Sequence, residues 1–174
     1  MKFIDQLKEK AKQNKKTIVL PETSDMRTIE AAGKVLAEGI ANIILVGDKE
    51  DIMSRAGDID LSGASFVDPK NYEKFDEYVD AFVEMRRKKG MTEARAKELL
   101  LTNPLYFGCM MVKQDDADGM VAGAINASAD VLRAALQTLK TAPGTRIVSA
   151  FFLVVVPDCQ YGANGTFVFA DAGL

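Results

Sequence analysis

Short apolar segments alternate with amphipathic helical segments along most of this chain. The clearest strand patterns are TIVL at Thr17–Leu20 and the uninterrupted apolar run ANIILVG at residues 41–47. Such continuous runs are typical of parallel strands that are covered on both faces. Because parallel neighbours need crossover connections, the intervening helices would lie on the two faces of the sheet. The pattern therefore predicts an α/β fold, a three-layer αβα sandwich with a mainly parallel sheet.

Helix caps and breakers give the expected limits of the other elements. An amphipathic helix opens the chain, and Asp48 and Thr92 are expected to begin later helices. Two more strands are predicted, one from ASFVD at residues 64–68 and a buried one from ADGMVAGA at residues 117–124. The remaining predicted helices cover residues 27–37, 72–88, 92–101, 103–111 and 128–140, and Gly39 is expected to end the first of these.

Near the C-terminus the pattern changes to two long β segments. RIVSAFFLVVVPD at residues 146–158 and TFVFADAG at residues 166–173 flank the turn YGANG, and no helical sequence follows them. They predict a hairpin, and a hairpin this apolar needs a covering layer to be stable in water. We therefore expect a first α/β domain at residues 1–144 and the start of a second, truncated domain at residues 145–174.

Composition and charge narrow the functional classes. The formal net charge is −3 and both signs are interspersed, which argues against a nucleic-acid-binding surface. The chain has no histidine, which removes Ser-His and Cys-His nucleophilic pairs, and its 2 cysteines lack the spacing of a zinc site or disulfide framework. The longest apolar run, residues 147–156, is too short to cross a bilayer as a helix, and the first residues lack the features of a signal peptide. These features predict a cytoplasmic protein with neither a membrane nor a nucleic-acid partner.

The segment most suggestive of chemistry is DGMVAGAINASADVLRAALQ at residues 118–137. It reads as a strand, a glycine-containing turn and a helix, and anions bind at helix N-termini beyond the carboxyl ends of parallel strands. Gly123 would allow close approach of the backbone, Ser128 could donate from the first turn, and Arg133 lies within reach. The alternative reading is a simple turn, an N-cap and a surface arginine, and the residues alone do not decide between the two.

Two other groups of charged residues have both structural and functional interpretations. Arg86 and Arg87 end the long predicted helix, where cations are favourable for structural reasons, and that interpretation is the stronger one. In the functional alternative, one guanidinium holds a phosphate bidentately. Glu22 and Asp25 follow the first strand and are expected to be capping and loop residues, with Arg27 packing or pairing on the next helix.

Taken in order, these segments resemble the phosphate acetyl/butyryltransferase family. The resemblance rests on TIVLPETSDMRTIEAA, ANIILVGD, VDPKNYEKFDEYVDAFVEMRRKKG and YFGCMMVKQDDADGMVAGAINASADVLRAALQTLKTAPGT, and it is collinear over the whole chain. The tail FFLVVVPDCQYGANGTFVFADAGL resembles the start of the family's second domain. The resemblance implies a fold like that of isocitrate and isopropylmalate dehydrogenases, with two α/β domains flanking an active-site cleft, and usually a homodimer.

The resemblance also implies phosphate acetyltransferase activity, in which acetyl-CoA and phosphate give acetyl phosphate and CoA. CoA, acetyl phosphate and phosphate would be substrates, with no permanently bound cofactor and no metal. The family's general base is an aspartate in the C-terminal portion, which this chain lacks, so the chain alone is expected to be inactive. Two alternatives stay open: transfer of butyryl or another acyl group, and a non-catalytic module that assembles with another chain through its apolar hairpin.

Site residues carry over by position. The family's helix-end arginine matches Arg86, and its glycine-to-arginine phosphate segment matches residues 123–133. The resemblance thus implies Arg86 and Arg133 as catalytic residues and Arg87, Ser128, Gly123 and Asn126 as phosphate- or CoA-binding residues. Four positions depart from the family's pattern and leave the hydrogen bonding open: Asn126, Ala127, Val131 and Ala134.

Overall fold

The computed structural model describes residues 3–170. The chain forms two compact units, Ala11–Lys140 and a second unit that joins the residues up to Lys10 to those from Thr141 onward. The domain limits expected from the sequence, residues 1–144 and 145–174, stay a prediction. None of the helices in the described part of the chain is long and apolar enough to cross a membrane.

A four-stranded parallel sheet in the order β3-β2-β1-β4 forms the centre of the larger unit. β1 lies between β2 and β4, so that Ile18 is in register with Ile43 on one side and with Gly119 on the other. The strand order therefore reverses at β1, and the carboxyl ends of β1 and β4 form the kind of crevice in which open α/β sheets bind ligands. The strands are β1 (Thr17–Leu20), β2 (Asn42–Val46), β3 (Ser65–Val67) and β4 (Gly119–Met120).

Helices cover both faces of this sheet. Alternate side chains of the strands point to opposite faces, so Val19 packs in one apolar core and Leu20 in the other. The first core includes residues of α4 to α7 and the second residues of α2 and α3, which confirms the three-layer αβα prediction. The helices are α1 (Phe3–Gln13), α2 (Met26–Glu38), α3 (Lys49–Ala56), α4 (Phe75–Arg86), α5 (Glu93–Thr102), α6 (Pro104–Lys113) and α7 (Ser128–Thr138).

Capping residues begin and end the helices at the positions that the sequence predicts. The side chains of Asp25, Asp48 and Thr92 accept hydrogen bonds from backbone N–H groups in the first turns of α2, α3 and α5. Gly39 ends α2 in the left-handed conformation, with φ of 67°, which glycine adopts without a steric penalty.

Two predicted elements are shorter in the structure. The helix predicted at residues 72–88 forms an α-helix only over Phe75–Arg86, because 3₁₀ turns at Pro69–Asn71 and Arg87–Lys89 flank it. The strand predicted at residues 117–124 pairs only over Gly119–Met120 and is half-buried rather than buried. Val121 still donates its N–H to the carbonyl of Val19 in β1, and from Gly123 onward the backbone N–H groups bond to a side chain instead of a neighbouring strand.

The predicted hairpin is present in the described part of the second unit. β5 (Phe151–Val155) pairs antiparallel with β6 (Thr166–Ala170), and the residues predicted to extend the second strand beyond 170 lie outside the described range. Most of its apolar side chains are exposed, Phe151 to 67% and Val168 to 65%. An apolar surface of this kind is typical of a contact surface.

Candidate functional site

The site lies where β1 and β4 end beside each other. After β1 the chain continues through Pro21 to Glu22, and after β4 it continues into the segment Gly123, Ala124, Ile125 and Asn126, here called the 123–126 loop. Gly123 has φ of 110°, a conformation that side-chain-bearing residues rarely adopt. This glycine lets the backbone turn so that successive N–H groups of the loop face one point.

That point is the carboxylate of Glu22, which is only 2% exposed. Its Oε2 accepts hydrogen bonds from the backbone N–H groups of Gly123 and Ala124, both at 2.6 Å. Its Oε1 accepts from the N–H groups of Ile125 at 3.2 Å and Asn126 at 2.9 Å, and from Nδ2 of Asn126 at 2.7 Å. One carboxylate therefore satisfies every backbone donor of the 123–126 loop.

These hydrogen bonds keep Glu22 ionised. Burial by itself raises the pKa of Glu22, but the bonds from the Asn126 side chain and from the backbone of Ala124, Asn126 and Ile125 outweigh burial and lower the pKa to about 2. Hydrogen bonds to the charged form of a carboxyl group have this effect because protonation would weaken all of them at once. Glu22 is consequently a fixed internal anion.

The β1–α2 connection holds the loop at a second point and is itself fixed to β2. Nη2 of Arg27 donates to the carbonyl of Ala124 at 2.6 Å and pairs with the carboxylate of Asp25 at 2.7 Å. Oγ1 of Thr23 donates to the carbonyl of Val46 at 2.6 Å. The predicted capping by Asp25 and pairing by Arg27 are confirmed. Glu22 lies in the β1–α2 connection, as expected of a loop residue, but the expectation that it caps a helix is wrong, because its carboxylate binds groups about 100 residues away.

The 123–126 loop leads directly into α7, which carries two predicted site residues. Ala127 occupies the N-cap position and makes no side-chain capping bond, and the exposed Ser128 is the first helical residue instead of the cap. Arg133 is exposed, and its Nη1 lies 2.5 Å from Oδ1 of Asp130. The N–H groups of Gly123 and Asn126 face Glu22, so any role of these two residues toward a substrate would act through the shape of the loop.

The positive charges of Arg86 and Arg133 both favour the ionised form of the Tyr106 phenol. Burial raises the pKa of Tyr106, and the charges of Arg133, Arg86 and Arg95 oppose that rise. The ring of Tyr106 packs on Phe82 of α4 with centroids 5.7 Å apart. The Nε of Arg86 is buried and has no hydrogen-bond partner among the described residues, whereas the exposed Arg87 pairs with Glu84. The catalytic and binding roles of these arginines stay predictions.

Glu22 and Tyr106 were not among the residues predicted for the site. A carboxylate directly after the Pro that ends β1 is a visible signal, but its meaning depends on β4 being the neighbour of β1. Tyr106 looks like one apolar residue of α6, and its sequence context does not show that the charges of distant arginines act to lower its pKa. Within residues 3–170, no cluster of three or more His, Cys, Asp or Glu side chains could hold a metal ion.

Comparison with known proteins agrees on one family. The family model described as "Phosphate acetyl/butaryl transferase" matches residues 2–174. A phosphate acetyltransferase of Acetivibrio thermocellus is 54% identical over all of this chain and 52% of its own length, and one of Thermoanaerobacterium thermosaccharolyticum is 52% identical over all of this chain and 53% of its own length. The chain therefore spans about half the length of the curated relatives it matches.

Solved structures agree with the sequence comparison. A phosphotransacetylase from Streptococcus pyogenes, 34% identical, superposes with a TM-score of 0.85 over 95% of this chain and 49% of its own. The EutD phosphotransacetylase from Staphylococcus aureus is 35% identical and superposes with a TM-score of 0.81 over 95% of this chain and 48% of its own length. The family model, the relatives and the superpositions together show that this chain belongs to the phosphate acetyl/butyryltransferase family.

Proposed function

We propose that this chain supplies the phosphate-binding side of a phosphate acetyltransferase, which interconverts acetyl-CoA and phosphate with acetyl phosphate and CoA. The observation that carries the proposal is the buried Nε of Arg86, which has no hydrogen-bond partner among the described residues. Burial raises the pKa of Tyr106, and the charges of Arg133 and Arg86 both act to lower it. Arg133 makes an exposed ion pair with Asp130. A phosphate oxygen is a natural partner for both guanidinium groups, since planar guanidinium groups match the geometry of phosphate.

The chemistry then divides between two sides of a cleft. The arginines hold the phosphoryl group of acetyl phosphate while a base removes the proton from the CoA thiol, and the thiolate attacks the acetyl carbonyl. As the acetyl–phosphate bond breaks, negative charge grows on the departing phosphate and the guanidinium groups stabilise it. Holding both reactants together contributes roughly 7–11 kcal/mol to lowering the barrier. We assign the base to no residue of this chain.

The proposal extends to the remaining predicted features. Ser128 is at the start of α7 and is exposed, so its hydroxyl is free to face a phosphate, and Arg87 adds positive charge at the end of α4. Gly123 and Asn126 contribute through the loop that Glu22 fixes. A domain boundary near residue 144, homodimeric assembly and a cytoplasmic location complete the proposal, on the basis of the family resemblance.

The test compares the chain alone with a chimera. In the chimera, these 174 residues replace the matching half of the Acetivibrio thermocellus relative, which is 54% identical to them. We expect acetyl-CoA formation from acetyl phosphate by the chimera and none by the chain alone, because the proposed reaction needs a base. A folded but inactive chimera would contradict the proposed function. Turnover by the chain alone at a rate comparable to that of the relative would contradict the proposal that the base comes from outside this chain. Competition between acetyl-CoA and butyryl-CoA then identifies the acyl group.

A second candidate function, an assembly module, is favoured by the exposed apolar hairpin. Phe151 and Phe152 of β5 and Val168 and Phe169 of β6 are each more than half exposed. We expect light scattering to show self-association of the chain at micromolar concentration, weakened by Phe151→Ser. A monodisperse monomer over the same concentration range would count against an assembly role.

A further inference from the structure

We propose that Glu22 acts as a built-in anion. Its carboxylate occupies the anion-binding position beside the carboxyl ends of β1 and β4, and it thereby positions the start of α7. Four consecutive backbone N–H groups converging on one point form an anion-binding nest. In open α/β sheets a bound ligand usually occupies this crevice. Here the carboxylate of Glu22 occupies it, so the 123–126 loop offers no backbone donor to a substrate.

The occupied nest determines where a substrate phosphate can bind. A phosphate would have to displace a carboxylate that accepts five hydrogen bonds and is 2% exposed. Two anions in one small site also repel each other. The substrate anion is therefore excluded from the backbone donors of the 123–126 loop and, in the proposed function, binds the two arginines instead.

Glu22 also substitutes for a helix cap. Ala127 gives α7 no side-chain cap, so the position of its first turn depends on the loop immediately before it. Glu22 fixes the N–H groups of that loop, and Arg27, with Asp25 beside it, fixes the carbonyl of Ala124. Glu22 is thus a positioning residue for Ser128 and Arg133. This role rests on the proposed function, whereas the binding of Glu22 by the four N–H groups does not depend on it.

The filled nest is tested by replacing the carboxylate and then supplying one in solution. Glu22→Ala leaves an empty nest large enough for a small carboxylate, so sodium formate should raise the melting temperature of the variant in a saturable way. Sodium chloride at the same ionic strength serves as the reference, and Lys34→Ala, a change at an exposed position of α2, is the matched control. Formate should not change the unaltered chain or the control. An equal response of all three proteins to formate would overturn the proposal.

A measurement on the unaltered chain covers the case in which Glu22→Ala does not fold. The backbone amide protons of Gly123 and Ala124 bond to the same carboxylate oxygen, so their NMR signals should shift together with one titration midpoint on acidification. That midpoint should lie well below that of an ordinary glutamate. Independent midpoints, or no shift at all, would show that these amides do not bind an ionised Glu22.

The positioning role is tested in the chimera. Glu22→Ala should lower kcat/KM for acetyl phosphate roughly 10- to 100-fold, because small displacements of binding groups have effects of this size. Formate should restore part of that loss, which a general loss of folded protein would not allow. If the unaltered chimera is inactive, the proposed function fails while the melting and NMR results still decide the nest. Full activity of Glu22→Ala would overturn the positioning role.

Discussion

Acidification from pH 5 to pH 1 is expected to remove about 3 kcal/mol from the free energy of unfolding through Glu22 alone. The pKa of Glu22 is lowered in the folded chain from 4.5 to about 2. A lowered pKa means that the unfolded chain takes up the proton first. The contribution is therefore fully present above pH 4.5 and is lost as the pH falls through the folded-state pKa.

Glu22→Gln isolates this contribution. Other carboxyl groups also have lowered pKa values, among them Asp25 beside Arg27 and Asp118, which accepts from the N–H of Thr17 and from Lys16. These groups are common to both proteins, so they cancel in the difference between the unfolding free energies of the unaltered chain and the variant. Urea denaturation at several pH values should show that difference shrinking as the pH falls below 4.5. A difference that does not change with pH would mean that Glu22 is not held as a buried anion.

We expect Arg86→Ala and Arg133→Ala each to lower kcat/KM of the chimera for acetyl phosphate by roughly 10- to 150-fold. This range corresponds to about 1.5–3 kcal/mol, the typical effect of losing a hydrogen bond to a charged group. Lysine at either position should restore only part of the loss, because an ammonium group keeps the charge but does not bind phosphate bidentately. Initial rates at varied acetyl phosphate concentration measure the effect.

Stability measurements separate this effect from a loss of folded protein. The pair formed by Arg133 and Asp130 has exposed fractions of 58% and 47%, and exposed ion pairs contribute about 0–1 kcal/mol. Arg133→Ala should thus unfold at nearly the same urea concentration as the unaltered protein. Lys34→Ala removes a cation from the opposite face of the sheet and should leave the kinetics unchanged. Wild-type kinetics in both arginine variants would refute the assignment of the phosphate site.

The elements of this fold were largely predictable because their signals are local. β1 has the predicted limits, and Asp48, Thr92 and Gly39 end or begin helices as expected, since each acts on backbone within a few residues. The continuous apolar run of β2 indicated burial on both faces, which the two cores confirm. The length of β4 was overestimated because the apolar sequence continues beyond the residue at which the backbone leaves the sheet.

The sequence by itself determined the αβα architecture, the helix ends, the hairpin and the family of this protein. Only the tertiary structure decided that the donors of the 123–126 loop belong to Glu22 and that the charges of Arg86 and Arg133 both act to lower the pKa of Tyr106. The physical reason is separation along the chain. Caps and apolar periodicity act over a few residues, whereas Glu22 meets its loop only because the strand order places β1 beside β4, across about 100 residues.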